Sequence, residues 1–191
     1  MRSFYRTAFF VPLIMLLALL IYSNTLDSPF QWDEDFTIKD NPIVKDIGYF
    51  AHPLKVRGLG LRYYSFRDRY IGYLTFALNY KVHGFNVRGY HLVNIALHIA
   101  NAALIFFFLK LIFKTPFLEG SSLRRQSEKI AFFTAVLFVS HPVQTEAVNY
   151  IIGRLPLLMS FFYLSSIVLY IKWRLDREIA SPSARNDNHP A

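Results

Sequence analysis

Four blocks of the chain contain no charged residue, and the charged residues are concentrated between these blocks. A helix needs about 20 apolar residues to cross a hydrocarbon layer about 30 Å thick. The pattern therefore predicts an all-α integral membrane protein with about four transmembrane helices. The predicted spans are about 7–26, 89–112, 129–141 and 155–173.

The first and third blocks each allow a second interpretation. The first has the basic start and apolar stretch of a signal peptide, but residues 22–26 contain no convincing small-residue cleavage site, so we expect a retained anchor. The third is apolar only as far as Val139. A half-helix or a re-entrant segment is therefore an alternative there.

The spans divide the chain into a polytopic membrane domain over 1–175 and a polar cytoplasmic tail over 176–191, whose last part, 181–191, has the composition of a disordered segment. A large first outer loop covers 27–88. Within it, the apolar and aromatic run 70–80 is too short to span a bilayer, so we predict an interfacial amphipathic helix there.

Composition and charge agree with this topology. The chain is 53% hydrophobic and 18% charged, with a net charge of +8, whereas a soluble domain has about 25% charged residues. Lys and Arg lie in the N-terminal tail, in 110–129 and after the fourth block, so these segments and both termini are predicted to be cytoplasmic. The basic flanks favour anionic membrane lipids. No basic folded face indicates a nucleic-acid partner, and the lack of cysteine excludes disulfides.

Four polar residues lie on one face of the second predicted span, where polar groups are costly: His91, Asn94, His98 and Asn101. We interpret them mainly as interhelical hydrogen-bonding groups. A metal shared by His91 and His98 is disfavoured, because seven residues separate them by about 10 Å along a helix.

The outer loop opens with three adjacent acids between aromatic residues, Asp33, Glu34 and Asp35. Clustered carboxylates repel one another, which raises a pKa or recruits a cation. Either result suits a general base or a divalent metal ion, with Asp33 and Asp35 as candidate ligands. A solvated acidic turn is an equally weighted alternative.

The connection between the third and fourth blocks carries His141, Glu146 and Arg154. Arginine commonly holds phosphate through bidentate hydrogen bonds. The alternative is a capped turn with an interfacial arginine that extends to water. Because this loop and the first outer loop lie on one side of the membrane in the predicted topology, we expect both to meet at one phosphate-bearing substrate.

Three motifs occur in order along the chain: FQWDEDFTIKDNP, GYHLVNIALHIANA and FVSHPVQTEAVNYIIGRLPLL. Together they resemble the N-terminal part of GT-C glycosyltransferases. They are most similar to the transmembrane and tetratricopeptide-repeat protein O-mannosyltransferase-like family and its bacterial relatives. The resemblance covers about 19–170, nearly the whole chain.

The resemblance implies an enzyme of the bacterial inner membrane or the endoplasmic reticulum. Such an enzyme transfers a mannose-like sugar from a polyprenyl-phosphate donor to a hydroxyl of a protein or glycan acceptor on the outer or luminal face. It also implies that Asp33 and Glu34 form the catalytic acidic pair, with Asp33 as the base. The residues that it implies for substrate and donor binding are Arg69, His91, His141, Glu146 and Arg154.

The chain departs from the family pattern at two positions and in length. Tyr70 follows Arg69 where relatives usually have proline, and Pro156 stands where an acid is common. Members of the family have about twice as many spans. We therefore expect a fragment, a split module that needs a further membrane subunit or a missing C-terminal half, or a chain that has lost activity. A non-catalytic assembly subunit that retains the front half of the fold is the alternative function.

Overall fold

The computed structural model describes residues 2–180, which contain α-helices and short 3₁₀ and π turns but no β-strand. The α-helices are α1 (Arg2–Tyr22), α2 (Pro42–Lys45), α3 (Gly48–Ala51), α4 (Leu61–Asp68), α5 (Tyr70–His83), α6 (Val87–Ile112), α7 (Ser127–Ser140), α8 (Gln144–Asn149) and α9 (Arg154–Ala180).

Three stretches of the described chain are long and apolar enough to cross a membrane: Phe9–Asp27, Val87–Ile112 and Ile151–Arg177. They correspond to the first, second and fourth predicted spans, and they confirm the all-α integral membrane class. Helix α9 continues through residues 176–180, the first part of the predicted cytoplasmic tail. The remainder of that tail, 181–191, lies outside the described residues.

The predicted third span, 129–141, is the 14-residue helix α7. At 1.5 Å per residue this helix is about 21 Å long, which is less than the thickness of about 30 Å that a spanning helix must cross. Pro142 follows directly and prevents extension, since the residue before a proline avoids the helical region. The described chain thus has three helices of spanning length, and α7 is a shorter helix whose crossing of the membrane stays a prediction.

Helix α6 is the centre of the bundle and contacts α1, α7 and α9. Small residues allow the close approach of these helices, as is usual inside membranes: Ala18 of α1, Ala102 of α6, and Ala131 and Ala135 of α7 are all fully buried. Phe106 fills the space beside them. This packing holds α7 on the bundle although it is short.

The first outer loop folds into a helical cap with its own core. Ile38, Phe66 and Phe76 are buried there against Tyr90 of α6 and Ile151 near the start of α9. The helix predicted at 70–80 is present as α5 and buries one face in this core. Its opposite face exposes apolar side chains, and its location at the membrane interface stays a prediction.

The polar residues of α6 face the protein interior, and all four are fully buried. The His91 ring lies 2.9 Å from the carbonyl oxygen of Ser28, and the Asn101 amide donates to the carbonyl of Leu157 at 3.0 Å. The His98 ring stacks on Phe138. These contacts join α6 to the first outer loop, α9 and α7, as the interhelical interpretation expects.

Candidate active site

Glu34 joins the first outer loop to the segment that precedes α9. Its side chain is 1% exposed, and its two carboxylate oxygens accept hydrogen bonds from the backbone N–H of Gln31 at 2.9 Å and of Ile152 at 3.1 Å. Burial raises the pKa of Glu34, because the charged form loses hydration, and the charge of Asp33 acts in the same direction. The backbone hydrogen bonds oppose this rise. Glu34 is thus the buried contact that brings the two outer loops together.

Asp33 is exposed beside this contact and accepts a hydrogen bond from the hydroxyl of Tyr150. Burial, followed by this hydrogen bond and the charge of Asp33, raises the pKa of Tyr150 to about 12. Tyr150 therefore keeps its proton at neutral pH and remains a hydrogen-bond donor. An exposed carboxylate with one fixed donor can still accept a proton from a further hydroxyl.

An open pocket of about 290 Å³ lies next to this pair. Its lining is mostly apolar, with one acid: Val143, Glu146, Ala147, Tyr150, Ile152, Gly153 and Pro156. Tyr150 belongs both to the pocket lining and to the hydrogen bond with Asp33. The pocket therefore has Glu146 in its wall, and Asp33 contacts one of its lining residues.

Arg154, the first residue of α9, is fully buried behind this surface. Its guanidinium donates to the side-chain oxygen of Asn94 at 3.0 Å, the carbonyl of Thr75 at 3.2 Å and the carbonyl of Tyr90 at 2.9 Å. It also lies 4.7 Å from the ring centroid of Phe76. These contacts attach the start of α9 to α5 and α6. The predicted contact of Arg154 with a donor phosphate stays a prediction.

The other predicted donor-binding residues lie in different surroundings. His141 is exposed at the end of α7, and its ring accepts a hydrogen bond from the N–H of Val143 at 3.2 Å. Arg69 is exposed between α4 and α5. His91 is buried against Ser28. Within the described residues, Asp33, Glu34 and the segment 150–154 come together, whereas no hydrogen bond or ion pair joins Arg69 or His141 to them.

Asp33 and Asp35 are the candidate metal ligands of the acidic run. No group of three or more His, Asp or Glu side chains within the described range could hold a metal ion. Asp33 is bound by Tyr150, whereas Asp35 forms an ion pair with Lys39 at 2.7 Å. The two candidate ligands therefore have separate partners, and their binding of a divalent metal ion stays a prediction.

Sequence reasoning missed the role of Tyr150, which lies within the third motif. The sequence gives little indication of this role, because tyrosine is common near membrane interfaces. The partner of Asn149 was missed as well: the Thr25 hydroxyl donates to its side-chain oxygen at 3.0 Å, across 124 residues of sequence. Only the fold reveals such distant pairs.

Comparison with curated proteins identifies relatives of one kind. The chain is 34% identical over 168 residues to a protein O-mannosyl-transferase of Caenorhabditis elegans. This match covers 85% of this chain and 23% of that protein. It is 32% identical over 160 residues to the human protein O-mannosyl-transferase TMTC2, covering 82% of this chain and 18% of the relative. It is 31% identical over 157 residues to human TMTC1, and the match covers 79% of this chain and 16% of that relative.

The chain therefore spans between 16% and 23% of the length of these three relatives. Searches with protein-family models and against solved structures found no match. The relatives agree with the family that the three sequence motifs indicated. Over most of its own length, this chain is homologous to one section of the TMTC-type protein O-mannosyl-transferases.

Proposed function

We propose that this chain is a membrane glycosyltransferase module that transfers a mannose-like sugar from a polyprenyl-phosphate donor to a hydroxyl of a protein acceptor. The observation that carries the proposal is the exposed carboxylate of Asp33, which accepts a hydrogen bond from Tyr150, a residue that lines an open pocket. The relatives are named as protein O-mannosyl-transferases, which supports mannose as the sugar and protein as the acceptor. The outer or luminal face of a bacterial inner or endoplasmic reticulum membrane is part of the same proposal.

In this reaction Asp33 is the general base. One carboxylate oxygen is bound by the hydroxyl of Tyr150, and the other is free to take the proton of the acceptor hydroxyl. The acceptor oxygen attacks the anomeric carbon of the sugar, and the bond from that carbon to the phosphate oxygen breaks. The phosphate leaves with the bonding electron pair, and the configuration at the anomeric carbon inverts.

Two buried residues position these groups. Glu34 fixes the loop that carries Asp33 against the backbone of Ile152, and Arg154 holds the start of α9 against α5 and α6. Both act through hydrogen bonds to backbone atoms, so they determine where Asp33 and the pocket lie relative to each other. Glu146 in the pocket wall is available to orient the donor or the acceptor.

Donor binding involves polar side chains that the solvent can reach. Arg69 and His141 are both exposed, and a cationic side chain attracts the phosphate of the donor. We therefore retain both residues as proposed donor contacts, with Arg69 as the stronger candidate because it is always charged.

The test is Asp33→Asn, with radiolabelled polyprenyl-phosphate mannose and a serine- and threonine-containing peptide in membranes that carry the chain. We expect transfer to fall at least about 100-fold, the lower range for loss of a general base, while donor binding stays unchanged. Asp68→Asn is the matched control, because Asp68 is an exposed acid of the same loop whose partner is Arg67. Full transfer by Asp33→Asn would show that the base is another residue. No transfer by the wild-type chain would favour the non-catalytic assembly subunit.

A further inference from the structure

Trp32 has the most unusual backbone conformation of the described chain. Its φ is 50°, and it is the only non-glycine residue with positive φ among residues 2–180. Bulky residues strongly disfavour this region, because the side chain crowds the backbone. In addition, the indole is 89% exposed, although tryptophan is a residue that folding usually buries.

Two contacts hold Trp32 in this conformation. It is the first central residue of a tight turn, in which the N–H of Glu34 donates to the carbonyl of Gln31 at 3.0 Å. The Glu34 carboxylate closes the turn from the other side through the N–H of Gln31, and binds it to Ile152. Glycine is the residue favoured at such a position. Strained residues of this kind concentrate where ligands bind.

The membrane interface alone does not account for this arrangement. Tryptophan is common at the interface, and Trp32 follows the first span closely. An interfacial anchor needs no strained backbone, however, as Trp173 shows: it lies in the regular helix α9 and is 49% exposed. Trp32 instead occupies a strained position next to Asp33 in the sequence, on the turn that Glu34 attaches to the candidate site.

We propose that Trp32 binds the sugar of the donor, with its indole face stacked on the pyranose ring next to Asp33. This inference rests on the proposed function and adds a sugar-contacting residue to it. The apolar C–H face of a pyranose suits an aromatic surface, and the indole N–H can donate to a sugar hydroxyl. The donor sugar is attached to a membrane lipid, so it must react close to the interface. An exposed aromatic side chain just beyond the first span meets that requirement.

Fluorescence can test this contact, because the chain contains only two tryptophans. In a Trp173→Phe background the emission comes from Trp32 alone. We expect a short-chain polyprenyl-phosphate mannose to change the emission intensity and wavelength, whereas the same polyprenyl phosphate without sugar leaves both unchanged. An equal response to the two compounds would overturn the proposal. So would quenching by bromine-labelled lipid together with no response to the mannose compound, which would identify a membrane anchor.

Substitutions at Trp32 provide a second, independent readout. Trp32→Gly should bind radiolabelled polyprenyl-phosphate mannose about three- to tenfold more weakly, the value of one aromatic contact. Its unfolding temperature should not fall, because glycine adopts positive φ without strain. Trp32→Phe keeps a ring and should bind like wild type within about threefold. Wild-type binding by Trp32→Gly would overturn the proposal.

The outcomes also separate this inference from the proposed function. If Trp32→Gly binds donor normally while Asp33→Asn abolishes transfer, the sugar contact is wrong and the transferase assignment holds. If Trp32 responds specifically to the mannose compound while Asp33→Asn transfers normally, the sugar contact holds and the assignment of the base fails.

Discussion

The close approach of Gly153 to α8 gives a prediction that connects stability to the candidate site. A methyl group on Gly153 would lie 2.9 Å from the carbonyl carbon and 3.0 Å from the Cα of Ala147, and closer still to its carbonyl oxygen. Ordinary contacts begin at 3.4 Å. All three atoms belong to the backbone, so they cannot rotate away as a flexible side chain would.

Gly153→Ala must therefore separate the two segments by roughly half an ångström or more. The hydrogen bond from the N–H of Ile152 to Glu34 is 3.1 Å long, and a shift of this size takes it to about 3.6 Å, where it is no longer a hydrogen bond. We expect an overpacking cost of about 1–3 kcal/mol. We also expect sugar transfer to fall by up to about 100-fold, because displacements of about 1 Å have this effect on catalytic groups.

The assay combines thermal unfolding in detergent with mannosyl transfer to the peptide. Gly58→Ala is the matched control, because Gly58 lies in the outer loop and a methyl group there would meet no atom within 4 Å. The reasoning would be refuted if Gly153→Ala and Gly58→Ala had the same unfolding temperature and the same transfer rate. Lost transfer with unchanged stability would show that the segment moves at little cost but still displaces the site.

Three further predictions follow from the same contacts. The pKa of Glu34 is raised by folding, so its contribution to stability is fully present below the unfolded pKa of about 4.5 and is lost as the pH rises through the folded pKa. Across this pH window the unfolding temperature should fall more steeply for wild type than for Glu34→Gln. Parallel curves for the two proteins would contradict the assignment. Arg154→Lys keeps the charge but not the planar guanidinium, so at least one hydrogen bond to a charged group should be lost. Chemical unfolding should therefore show a free energy of unfolding lower by about 1.5–3 kcal/mol. Wild-type stability of this variant would show that the planar guanidinium is not required. Topology reporters inserted after Lys55 and Gln144 should both be external, and an internal location of either reporter would rule out a shared site.

The uncharged blocks predicted most of the membrane architecture, because span length is a direct physical requirement of the bilayer. The same requirement sets the third block apart from the others. The uncharged run at Ile130–Thr145 is shorter than the about 17–25 residues of a spanning helix, and its helix ends at Ser140, before His141 and Pro142. Absence of charge shows where a helix can enter the membrane, whereas only the helix stop shows whether it is long enough to cross.

The candidate site could be predicted in part. That the two outer loops share one side followed from topology, and the structure indeed joins them through Glu34 and Ile152. The surroundings of Arg154 could not be predicted, since two of its partners are the backbone carbonyls of Thr75 and Tyr90. Every residue has a backbone carbonyl, so the sequence does not indicate which carbonyls accept these hydrogen bonds.

The conformation of Trp32 could not be predicted either. The motif around it indicated only an acidic run between aromatic residues, and tryptophan is among the least expected residues at positive φ. The turn forms because Glu34 binds the N–H of Gln31 and of Ile152 together. A local strain that depends on a contact 118 residues away has no local signature.

The break between α8 and α9 explains why the site forms where it does. If residues 144–154 were one continuous helix, the N–H of Ile152 would bind the carbonyl of Val148 and could not bind Glu34. At the break, 3₁₀ hydrogen bonds replace those of an α-helix: the N–H of Gly153 donates to the carbonyl of Tyr150 at 3.0 Å, and the N–H of Arg154 to that of Ile151. Irregular backbone of this kind is tolerated near a membrane only inside protein. The buried amide of Asn94 donates to the carbonyls of Tyr150 at 3.0 Å and Ile151 at 3.2 Å. The polar face of α6 therefore stabilises the irregular backbone on which the carboxylate of Asp33 depends.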